Sequence, residues 1–579
     1  MSKPSSRRRL VALVAAGAAA ALVGTGTASA SQSSASRAAG KREATVQLLS
    51  FNDFHGHLEA TDPPLDPVQD PSQTPVGGVE YLSSTLSALR GQVGDGTSLT
   101  VGAGDMIGGS TFLSGLFHDE PSVEALDTLG LDVASVGNHE FDEGTPELLR
   151  MQYGGCHPKD GCYFPDQPYL GAKYQYLAAN VVRKANDQPL LPATAVRTVD
   201  GVKIGFIGMT LAATPTLVNP TGVSSVKFLD EVETANAQAK VLQAQGVQAI
   251  VVLVHEGGYQ TGTYQQCQGM SGPIVDIAKR LDPAIDLVVS GHTHQPYVCI
   301  IPDPAGKPRM VTSAASYGKV VTETKLVVNR RGGDVVRKKV QSVNHLVARN
   351  VADPAETAVL KKWQGIAAPI AARVVGTVAK DVTGDASGDR GIETPMADLL
   401  ADAILWGTSG ANGGAQLAFM NVGGVRASFT VAPKYGEQPG QITYAEAYDV
   451  APFGNLLVTV DMTGAQIKQV LEQQYQPVPQ RGARPMLALG VSGGFTYTWD
   501  GNQPQGSRVS NMVLDGAAVD PNATYRVGTL NFLADGGDLF TAFTQGTNRL
   551  GGAEDLANLV AFLGAHPGIT PPPDRVQGL

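Results

Sequence analysis

Between residues 45 and 344 the chain alternates short apolar runs with stretches of helical spacing. Runs at 46–51, 98–101, 133–136, 250–254 and 287–289 have strand length and are rich in Val, Leu and Ile. Between the first two, Val79, Leu82, Leu86 and Leu89 recur at the period of a helix with one apolar face. Asp230 can cap a helix that runs through Leu242 and ends near Gly246, just before the strand at 247–254. Such alternation predicts an α/β layered domain, and the Pro-rich stretch 63–75 reads as a surface loop.

Each of the five runs ends on polar residues: Asp53 and His55, Asp105, Asn138 and His139, His255, then His292 and His294. Layered α/β sheets gather ligands beyond the carboxyl ends of their strands. Residues so far apart in sequence therefore meet if the five strands are neighbours, and one sheet carrying all five is the simplest expectation.

The segment 353–373 has helical spacing in Leu360, Trp363, Ile366 and Ile370 and separates two regimes. Beyond it come an amphipathic helix at 396–406, Gly-rich turns, and strands at 456–460 and 525–530, which predict an α+β domain. At 579 residues the chain exceeds the size at which one core stops growing. The expected organisation is a signal segment at 1–30, a flexible leader at 31–44, a first domain at 45–345, a helical linker at 346–373 and a second domain at 374–579.

The first thirty residues carry Arg7, Arg8 and Arg9, an Ala/Val/Leu run, and Ala28-Ser29-Ala30. That order marks a cleaved export signal rather than a membrane anchor. Its removal takes the net charge from −10 to −14, through the loss of Lys3 and the three arginines. An acidic exterior excludes a general surface for nucleic acid polymers, and no later run is long enough for a transmembrane anchor. The protein is expected to be secreted, free or associated with the cell wall. In an exported chain Cys156, Cys162, Cys267 and Cys299 suggest two disulfides, with three pairings open in principle. Cys156 with Cys162 closes a short loop and leaves Cys267 for Cys299. The oligomeric state is not encoded in any pattern.

Asp, His and Asn suit a moderately hard divalent cation, and the absence of thiolate at the strand ends argues against a closed structural zinc site. One such residue after a strand is ordinary turn chemistry. Five strand ends carrying them, with Gly56, Gly104, Gly137, Gly257 and Gly291 beside them, form a constellation that turn chemistry does not produce.

The blocks D-x-H at 53–55, G-D-M-I-G-G-S at 104–110, G-N-H-E-F-D at 137–142, V-H-E-G-G at 254–258 and S-G-H-T-H at 290–294 resemble the binuclear metallophosphoesterases, and their order resembles the secreted 5'-nucleotidase branch. The resemblance implies an α/β fold in which a layered β-sandwich domain flanked by helices is joined by a helical linker to an α+β C-terminal domain. It also implies two divalent metal ions, Zn, Mn or similar. Asp53, His55, Asp105 and His294 would hold one, and Asp105, Asn138, His255 and His292 the other, with Asp105 as the bridge. His139 would assist the transition state or leaving group, with Asp142 orienting it. Two cations about 3.5–4 Å apart can activate one water and clamp an in-line displacement. His57 and His118 match no ligand position and read as solvated or structural.

In the second domain, the blocks at 421–426, 451–455 and 531–538 combine Gly turns with two Phe, an Arg and an Asp. Aromatic faces stack bases and Arg matches phosphate geometry. These blocks resemble the substrate domain of 5'-nucleotidases. Phe453 and Phe532 fall at its base-sandwiching positions, Arg390 and Arg426 at its phosphate or ribose contacts, and Asn455 and Asp538 at its base and ribose contacts. Asp398 replaces the amide common among relatives, which would bear on nucleotide preference if it lies near the pocket. The order of domains implies closure about 353–373.

The implied activity is release of phosphate from nucleoside 5'-monophosphates, extending to nucleotide sugars or di- and triphosphates. A 2',3'-cyclic nucleotide phosphodiesterase with 3'-nucleotidase activity and a sulfur-ester hydrolase are alternatives within the same class. A nucleotide-binding surface protein without catalysis is the alternative outside it.

Overall fold

The structure, a computed structural model, describes residues 42–579 apart from 95, 219–221, 385–388, 478–480 and 482–483. The expected signal segment lies outside the described residues, as does the leader up to residue 41. The leader ends sooner than expected, because Glu43 and Ala44 already belong to the strand Glu43–Phe51, where they pair with Asn329 and Val328.

Two six-stranded sheets form the first domain. In the first sheet Glu43–Phe51, Ser98–Ala103 and Val133–Ser135 run parallel side by side. In the second, Val202–Thr210, Ala249–His255 and Leu287–Ser290 do the same. The five ligand-bearing strands are thus divided three and two between sheets, which corrects the expectation of a single sheet. Apolar side chains explain the stacking. Val46, Leu48, Val101 and Val133 of one sheet meet Ile204, Phe206, Val251, Leu253 and Leu287 of the other in a shared core. The alternate residues point outward: Leu49 and Phe51 pack under the helices of the first sheet, and Ile250, Val252 and Val254 under those of the second. Strands buried on both faces read as continuous apolar runs, so these runs could not announce which sheet they joined.

Asp230 accepts from the Glu233 amide at 2.8 Å and caps the helix Glu231–Ala244. Asp353 likewise caps Pro354–Ala371. This second helix is docked on the first domain: Val359, Leu360 and Trp363 are buried in its core, and the Trp363 indole donates to Glu124 at 2.8 Å. Ile366 and Ile370, expected on the same face, are exposed. Both predicted disulfides are formed, Cys156–Cys162 and Cys267–Cys299.

The second domain is built on a five-stranded sheet. Leu417–Asn421 and Thr524–Leu530 are parallel, and Leu456–Thr463 runs antiparallel beside the latter. Asn421, Asn531 and Leu456 therefore come to one end of the sheet, which gathers the three blocks that the sequence singled out. The helix Tyr444–Val450 abuts the first domain, where Asp449 accepts from the Phe112 amide at 2.8 Å. Among the described residues no helix is long and apolar enough to cross a membrane.

Candidate active site

All seven expected metal-ligating residues meet at one end of the sandwich. The ligand atoms of Asp53, His55 and His294 lie within 4.8 Å of one another, and so do those of Asp105, His255 and His292. Asn138 joins the second group through Oδ1, 3.1 Å from His292 Nδ1. Between the groups stands Asp105, with Oδ2 2.8 Å from His255 Nε2 and 3.5 Å from His55 Nε2. The His55 and His294 Nε2 atoms face each other at 3.3 Å.

The backbone pays for this convergence. Asp53, His55, Asp105, His292 and His294 all have φ between 50° and 71°. Left-handed conformations at non-glycine residues cost roughly 1–3 kcal/mol each and collect where a site over-determines them. Gly137 allows the closest approach, since any side chain there would collide with the Asp105 carboxylate.

Second contacts fix which nitrogen faces inward. His55 Nδ1 is 2.8 Å from the Gly108 carbonyl and His255 Nδ1 is 2.9 Å from that of Ala103, so each presents Nε2 to the cluster. Burial holds the His55, His292 and His294 imidazoles well below the ordinary range, which keeps their lone pairs available as donors. Burial raises the Asp53 carboxyl. Burial would do the same to Asp105, but His255, His139 and His55 outweigh it and hold that carboxyl well down. His255 Nε2 is buried near Asp105 Oδ2 without hydrogen-bond geometry. A buried cluster of nitrogen and oxygen donors facing one another across short gaps fits divalent cations.

His139 and Asp142 face each other beside the cluster. His139 Nδ1 is 2.8 Å from Asp142 Oδ2, which also accepts from the Gly109 amide at 2.9 Å. The His139 amide donates to Asp105 Oδ1 at 2.9 Å, which ties the ring to the cluster.

A cleft of about 560 Å³ opens above the cluster. Asp105, Asn138, His139, Asp142, His292 and His294 line one side; Arg390, Phe453, Asn455, Phe532 and Asp538 line the other. The Arg426 guanidinium lies over the Phe453 ring, 5.8 Å from its centre. The Phe532 ring rests against Gly537, where a side chain would clash with it. Asp538 is buried, accepts from Asn421 Nδ2 at 3.2 Å, and is raised by burial.

Asp398 does not join the cleft. Its Oδ1 accepts from the Val491 amide at 2.9 Å, and burial followed by the neighbouring Glu393 pushes the carboxyl up to about 9. It holds a strand to a helix, which removes the basis for a role in nucleotide preference. His57 pairs with Asp62 at 2.8 Å, and His118 bridges Glu143 and Asp160.

Three residues at the site carried no assigned role in the sequence. Glu140 accepts from the amides of Gly137, Asp105 and Met106 at 2.5, 3.0 and 2.8 Å and so clamps the two loops together. Asn52 donates to Asp53 Oδ2 at 2.6 Å. Arg484 lines the cleft from a loop of the second domain. Glu140 and Asn52 sit beside ligands in the motifs, a usable signal. Arg484 lies in no motif, and nothing marks it.

Residues 47–296 match the family model of calcineurin-like phosphoesterases, and residues 374–545 that of the 5'-nucleotidase C-terminal domain. The chain is 33% identical to the endonuclease YhcR of Bacillus subtilis over 530 residues, 91% of this chain and 40% of that protein. It is 33% identical to the cell wall protein Lmo0130 of Listeria monocytogenes over 525 residues, 86% of this chain and 64% of that protein. It thus spans less than two thirds of either relative's length. The solved structure of a 5'-nucleotidase precursor from Thermus thermophilus is 28% identical, with a TM-score of 0.74 over 92% of this chain and 99% of that one.

Proposed function

Because the chain belongs to the 5'-nucleotidase family, with a calcineurin-like phosphoesterase domain and a 5'-nucleotidase C-terminal domain, we propose that it is an exported, metal-dependent hydrolase that releases phosphate from nucleoside 5'-monophosphates. One observation carries this reading: a single cleft has the donor cluster on one side and Phe453, Phe532, Arg390 and Asp538 on the other. A nucleotide with its phosphate on the donors and its base between the aromatic rings spans that cleft.

In this reading Asp53, His55, Asp105 and His294 hold one divalent ion, and Asp105, Asn138, His255 and His292 hold a second. When bound, such ions supply an acidified water and charge stabilisation for an in-line displacement. His139, oriented by Asp142, donates a hydrogen bond to the phosphoryl oxygens or a proton to the leaving oxygen. Arg390 and Arg426 bind the phosphate or ribose, and Asn455 and Asp538 the base and ribose. Glu140 keeps the loops of Asp105 and Asn138 in register.

The N-terminal pattern, the two disulfides and the similarity to a cell wall protein support an extracellular location. Phosphate release from AMP with added manganese or zinc, before and after chelation, tests the activity, and 2',3'-cyclic AMP in parallel tests the cyclic alternative. No metal-dependent release from any nucleoside phosphate would refute the proposal.

A further inference from the structure

Resting on the phosphohydrolase reading, we propose that Arg484 is a third guanidinium that grips the phosphoryl group at the donor end of the cleft.

Arg484 belongs to the second domain, yet two hydrogen bonds of its guanidinium reach the first. Its Nε donates to the Tyr259 hydroxyl at 3.0 Å, and its Nη2 donates to the His292 carbonyl at 3.3 Å. Tyr259 is itself fixed by paired backbone hydrogen bonds with Ser271, both 3.0 Å. The guanidinium is therefore held beside an expected metal-ligating residue by an anchored phenol, at the wall of the cleft where the reacting group would lie.

Arg484 is also one of three. Arg390 lines the same cleft, and Arg426 lies over the Phe453 ring with its Nη2 buried and lacking a hydrogen-bond partner. They crowd one another, and Arg390 falls to about 9 through burial and then through Arg484 and Arg426, with Asp538 opposing. Guanidiniums that crowd one another repel, and a dianion between them relieves that repulsion. A phosphoryl group in transfer spreads its charge over three equatorial oxygens, and planar guanidinium forks match such oxygens well.

The competing role is a strut across the domain boundary that ties Tyr259 to His292 and never meets substrate. The test uses the full-length, metal-loaded protein, with orthophosphate and adenosine as separate probes for the two ends of the cleft. Arg484→Gln should weaken orthophosphate about tenfold or more, by calorimetry and by inhibition constant, since charge-assisted hydrogen bonds are the strong ones. It should leave adenosine unchanged and both metals bound. Arg484→Lys should restore part of the loss, and Tyr259→Phe should show a smaller loss of the same kind. Unchanged orthophosphate affinity, equal weakening of both probes, or loss of metal from Arg484→Gln would make the residue a strut. A wild-type protein that turns over no nucleotide but binds orthophosphate through Arg484 overturns the nucleotidase reading and leaves this one standing. If orthophosphate does not bind at all, both fall.

Discussion

The ring of Phe453 lies nearly parallel to the imidazole of His139, with 5.7 Å between centroids and 22° between planes. One belongs to the second domain and the other to the donor end of the first, so this stack is one of the contacts that join the two walls of the cleft. In this arrangement the two domains already share one cleft, and any opening requires this stack to separate.

The two phenylalanines should separate kinetically. Base stacking is worth about 1–3 kcal/mol, so Phe532→Ala should raise the Michaelis constant for AMP about tenfold while leaving phenyl phosphate unaffected. Phe453→Ala should also lower kcat for both esters, because it removes the face against which His139 rests. Steady-state kinetics on the two substrates decide the matter. Equal effects of Phe532→Ala on both would disqualify that ring as a base platform.

Replacing His139 with Ala should lower kcat by roughly 10²–10⁴, the range for loss of a positioned acid–base group. Elemental analysis should find the metal content intact, since the expected ligand set does not include this residue. A variant that loses metal would show that His139 is a ligand instead.

Asp105 faces both groups of donors, whereas His294 faces one. Asp105→Ala should therefore strip both ions and abolish turnover, and His294→Ala should weaken one ion and leave measurable activity at high metal concentration. Metal titrations of the two variants check this order; similar behaviour in both would remove Asp105 from its bridging position.

His118 offers a stability test. Burial lowers its affinity for a proton, but Glu143 at 2.8 Å and Asp160 at 2.7 Å prevail and raise it to about 9 from the ordinary 6.5. A group with a raised folded value contributes fully below its unfolded value and loses that contribution as pH rises through the folded one. The wild-type melting temperature should exceed that of His118→Gln most clearly below about pH 6.5, and the gap should close by about pH 9. Parallel curves across that range would refute the assignment. Because Asp160 lies within the loop closed by Cys156 and Cys162, proteolysis of that loop should follow the same dependence.

Much of the site was legible in the chain because its donors are local events. A strand end, a glycine and a His or Asp within three residues leave a pattern that needs no knowledge of neighbours, and the same holds for the caps of Asp230 and Asp353. Glu140 and Asn52 were visible but mute, since a side chain that braces a neighbouring loop looks like any polar residue in a turn.

What the sequence by itself determined was the five strands, the capped helices and the residue types at the strand ends, all of them set by short-range periodicity and residue type. The tertiary structure alone decided that the five strands divide between two sheets, because runs apolar on both faces fit either one. It alone brought Arg484 to His292 and set Asp398 apart from the cleft. Those outcomes depend on contacts between segments more than 90 positions apart, and the type of a single Arg or Asp carries no information about which distant surface it will meet.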